Sequence, residues 1–118
     1  RYGYSAGKRV FTGELIVLTD GFTASASTMV TTWLKQYREV TFVGEQAGGG
    51  YNGNNGGSFP MLTLPNSGME IRFPAYRLVL DEKSDRRDGI VPDYIISPTA
   101  QSIREQRDVV LEFALGLI

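Results

Sequence analysis

The sequence contains no histidine and no cysteine among its 118 residues. The absence of cysteine excludes a disulfide framework and zinc sites built on thiolates. The absence of histidine removes the commonest general base and the commonest metal ligand, and we expect neither a metal site nor a cofactor. A nucleophilic site in this chain therefore needs a base of another residue type or a base from elsewhere.

The chain also lacks a strong charge of either sign and a long apolar run. Its net charge is −1 without a basic run, which excludes the electrostatic footprint of a nucleic-acid-binding protein. No apolar stretch approaches the ~20 residues of a membrane span, and no signal peptide is visible. The length and a hydrophobic fraction of 42% predict one globular domain or part of one. Because the first residue is Arg1, we expect that preceding residues were removed, and the compartment stays open.

A strand, a helix and a second strand are predicted in the first half of the chain. Residues 1–13 resemble the tail of a preceding loop, and residues 14–20 form the short apolar run typical of a strand in a parallel sheet. Residues 40–44 predict the second strand, which completes a right-handed βαβ unit. Between the strands, apolar residues recur at helical spacing and predict a face that enters the core. These residues are Met29, Val30, Trp33, Leu34 and Tyr37.

The second half begins with six glycines in residues 46–57, where no regular structure is expected. Residues 58–64 and 69–80 predict two strands joined by a turn at 65–68, and residues 89–97 predict one more short strand. Thr99 and Asp108 are placed to cap a helical turn and a final helix. Together the segments predict a compact α/β structure with a mixed sheet and flanking helices.

Residues 21–28, Gly-Phe-Thr-Ala-Ser-Ala-Ser-Thr, connect the first strand to the first helix. A tight turn at this place exposes a hydroxyl, and its small neighbours let a substrate backbone approach closely. The first helical N–H groups also point toward any anion that forms there. Ser25 is therefore a candidate nucleophile; the alternative is that the serines and threonines only cap the helix.

The glycine-rich loop contains Gly48-x-Gly50-x-x-Gly53, which matches the dinucleotide-binding fingerprint in form. The fingerprint needs a helix N-terminus for the pyrophosphate, whereas Asn-Asn-Gly-Gly-Ser-Phe-Pro follows here. Nucleotide binding is therefore disfavoured. The two remaining interpretations are a mobile surface loop and a set of glycines that let a peptide backbone lie close.

Four segments, in the same order, resemble the C-terminal-processing (tail-specific) serine peptidases, a family that includes the tricorn core protease. The first is a strand ending in aspartate, followed by Thr-Ala-Ser-Ala-Ser at 23–27 and a helix. The others are Phe-Val-Gly-Glu at 42–45 before the glycine loop, Gly-Ile-Val-Pro-Asp at 89–93, and the C-terminal segment from Ser97-Pro98-Thr99 onward. The resemblance implies a crotonase-like ββα core, of which residues 1–118 would be the C-terminal half of the catalytic domain.

The resemblance also implies roles for individual residues. Ser25 would be the nucleophile, the N–H of Ala26 would help to form the oxyanion hole, and Gly48, Gly49 and Gly50 would lie near the substrate backbone. The lysine base of the bacterial processing enzymes aligns with Gly50, so a Ser/Lys dyad is absent here. This departure resembles the tricorn-like branch, in which a histidine from an earlier segment is the base. A second departure is Thr28, where many members have glutamate.

The implied function is that of a serine-type endopeptidase acting on a peptide or protein substrate. The base would come from an upstream segment of the parent chain, so the 118 residues alone are expected to be inactive. Relatives of this type are usually exported, and a periplasmic or other extracytoplasmic bacterial location is the corresponding expectation. The alternative is a non-catalytic module of the same fold that binds a peptide or a hydrophobic ligand.

Overall fold

The structure is a computed structural model that describes residues 10–118. Most of the loop predicted over residues 1–13 lies outside the described residues, and residues 10–13 belong to no helix or strand. The elements in chain order are β1 (Ile16–Thr19), α1 (Ala26–Tyr37), β2 (Thr41–Gly44), β3 (Met61–Thr63), β4 (Glu70–Arg72), β5 (Tyr94–Ile95), α2 (Ala100–Arg104) and α3 (Val109–Leu115).

A parallel sheet with the order β1-β2-β5 forms the centre of the structure. The register of β1 on β2 runs from Ile16 opposite Thr41 to Thr19 opposite Gly44, which confirms the predicted strand–helix–strand unit. The middle strand is the most buried, and both Phe42 and Val43 are 0% exposed. The carboxyl ends of β1 and β2 therefore lie side by side, where the serine turn and the glycine loop begin.

An antiparallel hairpin of β3 and β4 follows the glycine loop, with Leu62 opposite Ile71. The predicted turn at 65–68 is present and ends with Gly68 at φ 68°. Both strands are shorter than the predicted 58–64 and 69–80, because Pro60 and Pro74 flank the ladder and have no N–H to donate. The predicted strand over 89–97 likewise contracts to the two residues of β5.

Both predicted helix caps near the C-terminus are confirmed. Thr99 Oγ1 accepts from the Ser102 N–H at 3.1 Å, and Ser102 Oγ accepts from the Thr99 N–H at 2.9 Å, which completes a capping box before α2. Asp108 Oδ1 accepts from the Leu111 N–H at 2.9 Å at the start of α3. Caps are formed by neighbours in sequence, which is why local pattern is enough to predict them.

The buried face of α1 is the reverse of the predicted one. Thr28, Thr31 and Thr32 are at most 5% exposed, and their hydroxyls donate to the carbonyl oxygens of Thr23, Thr28 and Tyr51. Val30, Trp33 and Tyr37 are 51%, 44% and 82% exposed. The prediction that the apolar face enters the core was wrong for these three residues, whereas Leu34 packs against the core. The glycine loop packs against the threonine face, and the Tyr51 carbonyl oxygen of that loop satisfies the Thr32 hydroxyl.

The predicted compact shape is also wrong. Within residues 10–118, the central buried cluster consists of Phe42, Ala47 and Ile90, with Leu34 and a few other apolar residues partly buried against it. The accessible surface is 9221 Å², against about 6,300 Å² for a globular protein of this mass. The radius of gyration is 18.6 Å, against about 13.5 Å for a compact domain of this length.

None of the helices within residues 10–118 is both long enough and apolar enough to cross a bilayer.

Candidate active site

Ser25 lies directly before α1 with the unusual backbone angles φ 54° and ψ −119°. The Ser27 N–H donates to the Ala24 carbonyl oxygen at 3.1 Å, so Ser25 is the first central residue of a tight turn. A positive φ costs a residue with a Cβ on the order of 1–3 kcal/mol and is typical of functional sites. The Ser25 side chain is exposed and makes no cap hydrogen bond, so the helix-cap interpretation does not describe it.

Asp20 and Thr23 hold the turn at the end of β1. Asp20 Oδ1 accepts from the Phe22 N–H at 2.9 Å and from the Thr23 hydroxyl at 3.1 Å. In return, Thr23 Oγ1 accepts from the Asp20 N–H at 3.0 Å, and the Thr23 N–H donates to the Asp20 carbonyl oxygen at 3.0 Å. The aspartate at the end of the strand therefore fixes the direction in which the chain approaches Ser25.

Ala26 is the first residue of α1 and is exposed. The first helical hydrogen bond is donated by the Met29 N–H to the Ser25 carbonyl oxygen at 3.1 Å. The N–H of Ala26 has no acceptor within the helix, as is general for the first helical turn. It is one peptide unit from the Ser25 side chain and is available to an anionic acceptor.

Gly48, Gly49 and Gly50 lie against the backbone of the serine turn and of the loop before β5. The Gly49 N–H donates to the Thr23 carbonyl oxygen at 3.0 Å. A Cβ at Gly48 would collide with the Gly21 carbonyl oxygen, and one at Gly49 would collide with Thr28 Oγ1. Close packing within the fold is thus sufficient to require these glycines, and their contact with a substrate stays a prediction.

Gly56 lies beside the Ser25 hydroxyl. A Cβ built at this position would lie 3.9 Å from Ser25 Oγ. The Gly56 N–H donates to Asn54 Oδ1 at 2.7 Å, which forms a local side-chain turn. Sequence reasoning missed both residues. The only available signal was an Asn-x-Gly pattern, which is too common in loops to indicate a site.

The Gly-Ile-Val-Pro-Asp segment at 89–93 joins the glycine loop to the central strand. The Ile90 carbonyl oxygen accepts from the Ala47 N–H at 2.9 Å, and a Cβ at Gly89 would collide with the Ala47 carbonyl oxygen. The Phe42 N–H donates to Asp93 Oδ2 at 2.8 Å, and the Asp93 N–H donates back to the Phe42 carbonyl oxygen at 2.9 Å. Asp93 is therefore a structural residue of the sheet edge.

Charged groups elsewhere in the described residues also make structural contacts. Arg86 Nη2 donates to the Gly89 carbonyl oxygen at 2.8 Å and its Nε lies 3.7 Å from Asp88 Oδ2. A hydrogen bond from Arg107 lowers the pKa of the Glu112 carboxyl at the start of α3. Residues 10–118 contain no group of three or more acidic side chains placed to hold a metal ion.

Two cavities lie beside the sheet. One of about 650 Å³ lies between the turn that precedes Ser25 and the junction of α2 with α3, and its lining includes Phe22, Ile103 and Val110. The other, of about 510 Å³, lies at the opposite ends of β1 and β2. Ser25 lines neither cavity, so its hydroxyl opens onto the surface beside the glycine loop.

Comparison with known proteins adds two findings. The family model of Peptidase family S41 matches residues 1–96. A crystal structure of a candidate peptidase from Parabacteroides merdae ATCC 43184 is similar to this chain, with 32% sequence identity and a TM-score of 0.69. The match covers 96% of this chain but 34% of the other, so the chain spans about a third of that protein's length. No curated protein sequence matches the chain.

Proposed function

Because the chain belongs to peptidase family S41, we propose that it carries the nucleophile of a serine-type endopeptidase and that this nucleophile is Ser25. The observation that carries the proposal is the backbone of Ser25, with φ at 54° and an exposed hydroxyl that caps no N–H. A serine held in a strained turn between a strand and a helix presents its oxygen to a substrate, as in other serine hydrolases.

The reaction would proceed through an acyl-enzyme. Ser25 Oγ attacks the peptide carbonyl carbon and gives up its proton, the C–N bond breaks, and the amine leaves with a proton. Water then releases the acyl group as a carboxylic acid. The Ala26 N–H would stabilise the negative oxygen of the tetrahedral intermediate, a contribution commonly worth about 2.7–4 kcal/mol.

The general base would come from a segment of the parent chain outside these 118 residues. Two features of the sequence support this: it contains no histidine, and Gly50 stands where the lysine of a Ser/Lys dyad would align. The threefold greater length of the similar solved protein leaves room for such a segment. We accordingly assign the chain to the tricorn-like branch and to the C-terminal half of a crotonase-like catalytic domain, inactive when isolated.

Cleavage assays on the intact parent protein test this assignment. The substrate is an unstructured protein such as casein together with a peptide library. Ser25→Ala is expected to lower the cleavage rate by at least a thousandfold, while the matched control Ser27→Ala keeps a rate close to that of the wild type. Equal rates for the wild type and Ser25→Ala would contradict the assignment of Ser25 as the nucleophile. Ser25-dependent cleavage by the isolated 118 residues would contradict the assignment of the base to a segment outside them.

The 650 Å³ cavity favours a second candidate function, in which the protein binds a peptide or hydrophobic ligand without catalysis. Its apolar lining includes Leu18, Phe22 and Val110, and pockets of this size and character are typical of small-molecule sites. Absence of cleavage by the parent, combined with binding of a fluorescent fatty acid that Val110→Asp abolishes, would favour this candidate over the peptidase.

A further inference from the structure

We propose that Gly56, held in place by Asn54, forms the surface on which the main chain of the peptide substrate lies as it reaches Ser25. The proposal rests on the peptidase function proposed above. It assigns the backbone-binding role to the second part of the glycine loop, beyond Gly48, Gly49 and Gly50.

Most glycines of the loop are required by the fold itself. A Cβ at Gly48, Gly49 or Gly50 would collide with backbone or a buried threonine hydroxyl of the same chain. Gly53 and Gly57 have φ values of 95° and 114°, a region that side chains rarely adopt. Each of these five positions therefore has a structural reason to be glycine that involves no substrate.

Gly56 has neither reason. Its φ lies outside the left-handed region, and the three nearest atoms to an added Cβ would be two atoms of the flexible Asn54 amide, the nearer at 2.9 Å, and Ser25 Oγ, at 3.9 Å. A side chain at this position is thus compatible with the backbone, but it would displace the Asn54 amide, which accepts from the Gly56 N–H. What it would occupy is the space beside the Ser25 hydroxyl.

That space adjoins the oxygen atom at which the proposed reaction would take place. The carbonyl carbon attacked by Ser25 must come to about 3–3.5 Å from Oγ, and carbon atoms pack no closer than about 3.5–4 Å. A Cβ 3.9 Å from Oγ lies in the same shell as the substrate carbonyl and its adjoining main-chain atoms. The absence of a side chain at Gly56 leaves this shell open.

Asn54 fixes the position of Gly56. Its Oδ1 accepts from the Gly56 N–H at 2.7 Å, and its carbonyl oxygen accepts from the Leu78 N–H at 2.7 Å. The segment is therefore attached on one side to the chain that leaves the hairpin, and its other side faces Ser25. Asn54 is in this sense a positioning residue, whereas Gly56 is the residue that the substrate backbone contacts.

Two serine-directed probes test the proposal on the intact parent protein. One is a compact alkyl fluorophosphonate; the other is a tripeptidyl diphenyl phosphonate, which carries an extended main chain. Gly56→Ala and Gly56→Val are compared with the control Gly21→Ala, where an added Cβ meets nothing within 4 Å. We expect the labelling rate with the peptidyl probe to fall at least tenfold in Gly56→Ala and further in Gly56→Val. The compact probe is expected to react within threefold of wild type in both.

An unchanged ratio of the two rates in both Gly56 variants would overturn the proposal, and so would an equal loss with both probes, because Gly56 would then act on Ser25 itself. If Gly56→Val does not fold, Gly56→Ala is compared with Asn54→Ala, which removes the same amide contact without adding a Cβ beside Ser25. The proposal then requires a larger loss with the peptidyl probe in Gly56→Ala than in Asn54→Ala. A wild-type parent that labels with neither probe would overturn the peptidase proposal and this inference with it. If the wild type is labelled and the ratio of the two labelling rates is the same in the Gly56 variants, this inference alone is overturned.

Discussion

Replacing Ser25 by glycine should stabilise the protein while removing the proposed nucleophile. At φ 54° and ψ −119° a residue with a Cβ is strained by about 1–3 kcal/mol, and glycine relieves this. Glycine also gains freedom in the unfolded chain, which offsets about 0.4–1 kcal/mol of the relief. Because the Ser25 hydroxyl makes no cap hydrogen bond, its loss should change the free energy of unfolding by less than about 0.5 kcal/mol. The expected net gain is about 0.5–2 kcal/mol.

Urea denaturation of the intact parent measures this effect through the transition midpoint at constant m-value. Ser25→Ala is the matched control because it removes the same hydroxyl but keeps the Cβ. We expect Ser25→Gly to be more stable than Ser25→Ala by about 0.5–2 kcal/mol, and Ser25→Ala to match the wild type. If Ser25→Gly were the less stable of the two, the turn would not be strained. A loss of about 1 kcal/mol in Ser25→Ala would show that the hydroxyl caps the helix after all.

Three further predictions concern the structure around the site. Gly89→Ala should destabilise the parent by about 1–3 kcal/mol or more in urea denaturation, because its Cβ would collide with two backbone carbonyl oxygens. Asp93→Ala should cost about 1–3 kcal/mol in the same assay, because the N–H of fully buried Phe42 loses its carboxylate acceptor; a neutral result would contradict the structural role given to Asp93. Arg107→Gln should raise the pKa of the Glu112 carboxyl toward its ordinary value in an NMR titration. Because the hydrogen bond lowers that pKa, the ion pair stabilises the folded state at pH values above the ordinary pKa of a glutamate carboxyl, and this contribution is lost as the pH falls through the lowered pKa. An unchanged Glu112 pKa in Arg107→Gln would contradict the hydrogen bond.

Features set by neighbours in sequence could be predicted, and features set by distant contacts, with one exception, could not. The caps at Thr99 and Asp108 follow from local pattern. The parallel pairing of β1 with β2 is a distant contact that could still be predicted, because a strand, a helix and a strand with short connections form a βαβ unit. The orientation of α1 does not follow from local pattern, because the Thr32 hydroxyl is satisfied by the Tyr51 carbonyl group, which only the folded glycine loop brings near. The apolar stripe that contains Trp33 is consequently exposed in this chain.

The same distinction between neighbouring and distant residues applies to the candidate site. Ser25 was identified from a strand, a small-residue turn and a helix, all of which are contiguous in sequence. Gly56 could not be identified, because its proximity to Ser25 arises from a loop that folds back across about thirty residues of sequence. The role proposed for Gly56 depends on the structural reasons found for the other five loop glycines, none of which applies to Gly56.

The most direct test of the central claim is the intact mass of the parent protein after reaction with a fluorophosphonate. The account predicts a single adduct that maps by peptide sequencing to Ser25 and is absent in Ser25→Ala. The same reaction on the isolated 118 residues should give no adduct, because the base is supplied from elsewhere in the parent. A folded parent that forms no adduct, or one whose adduct persists in Ser25→Ala, would contradict the assignment of Ser25 as the nucleophile.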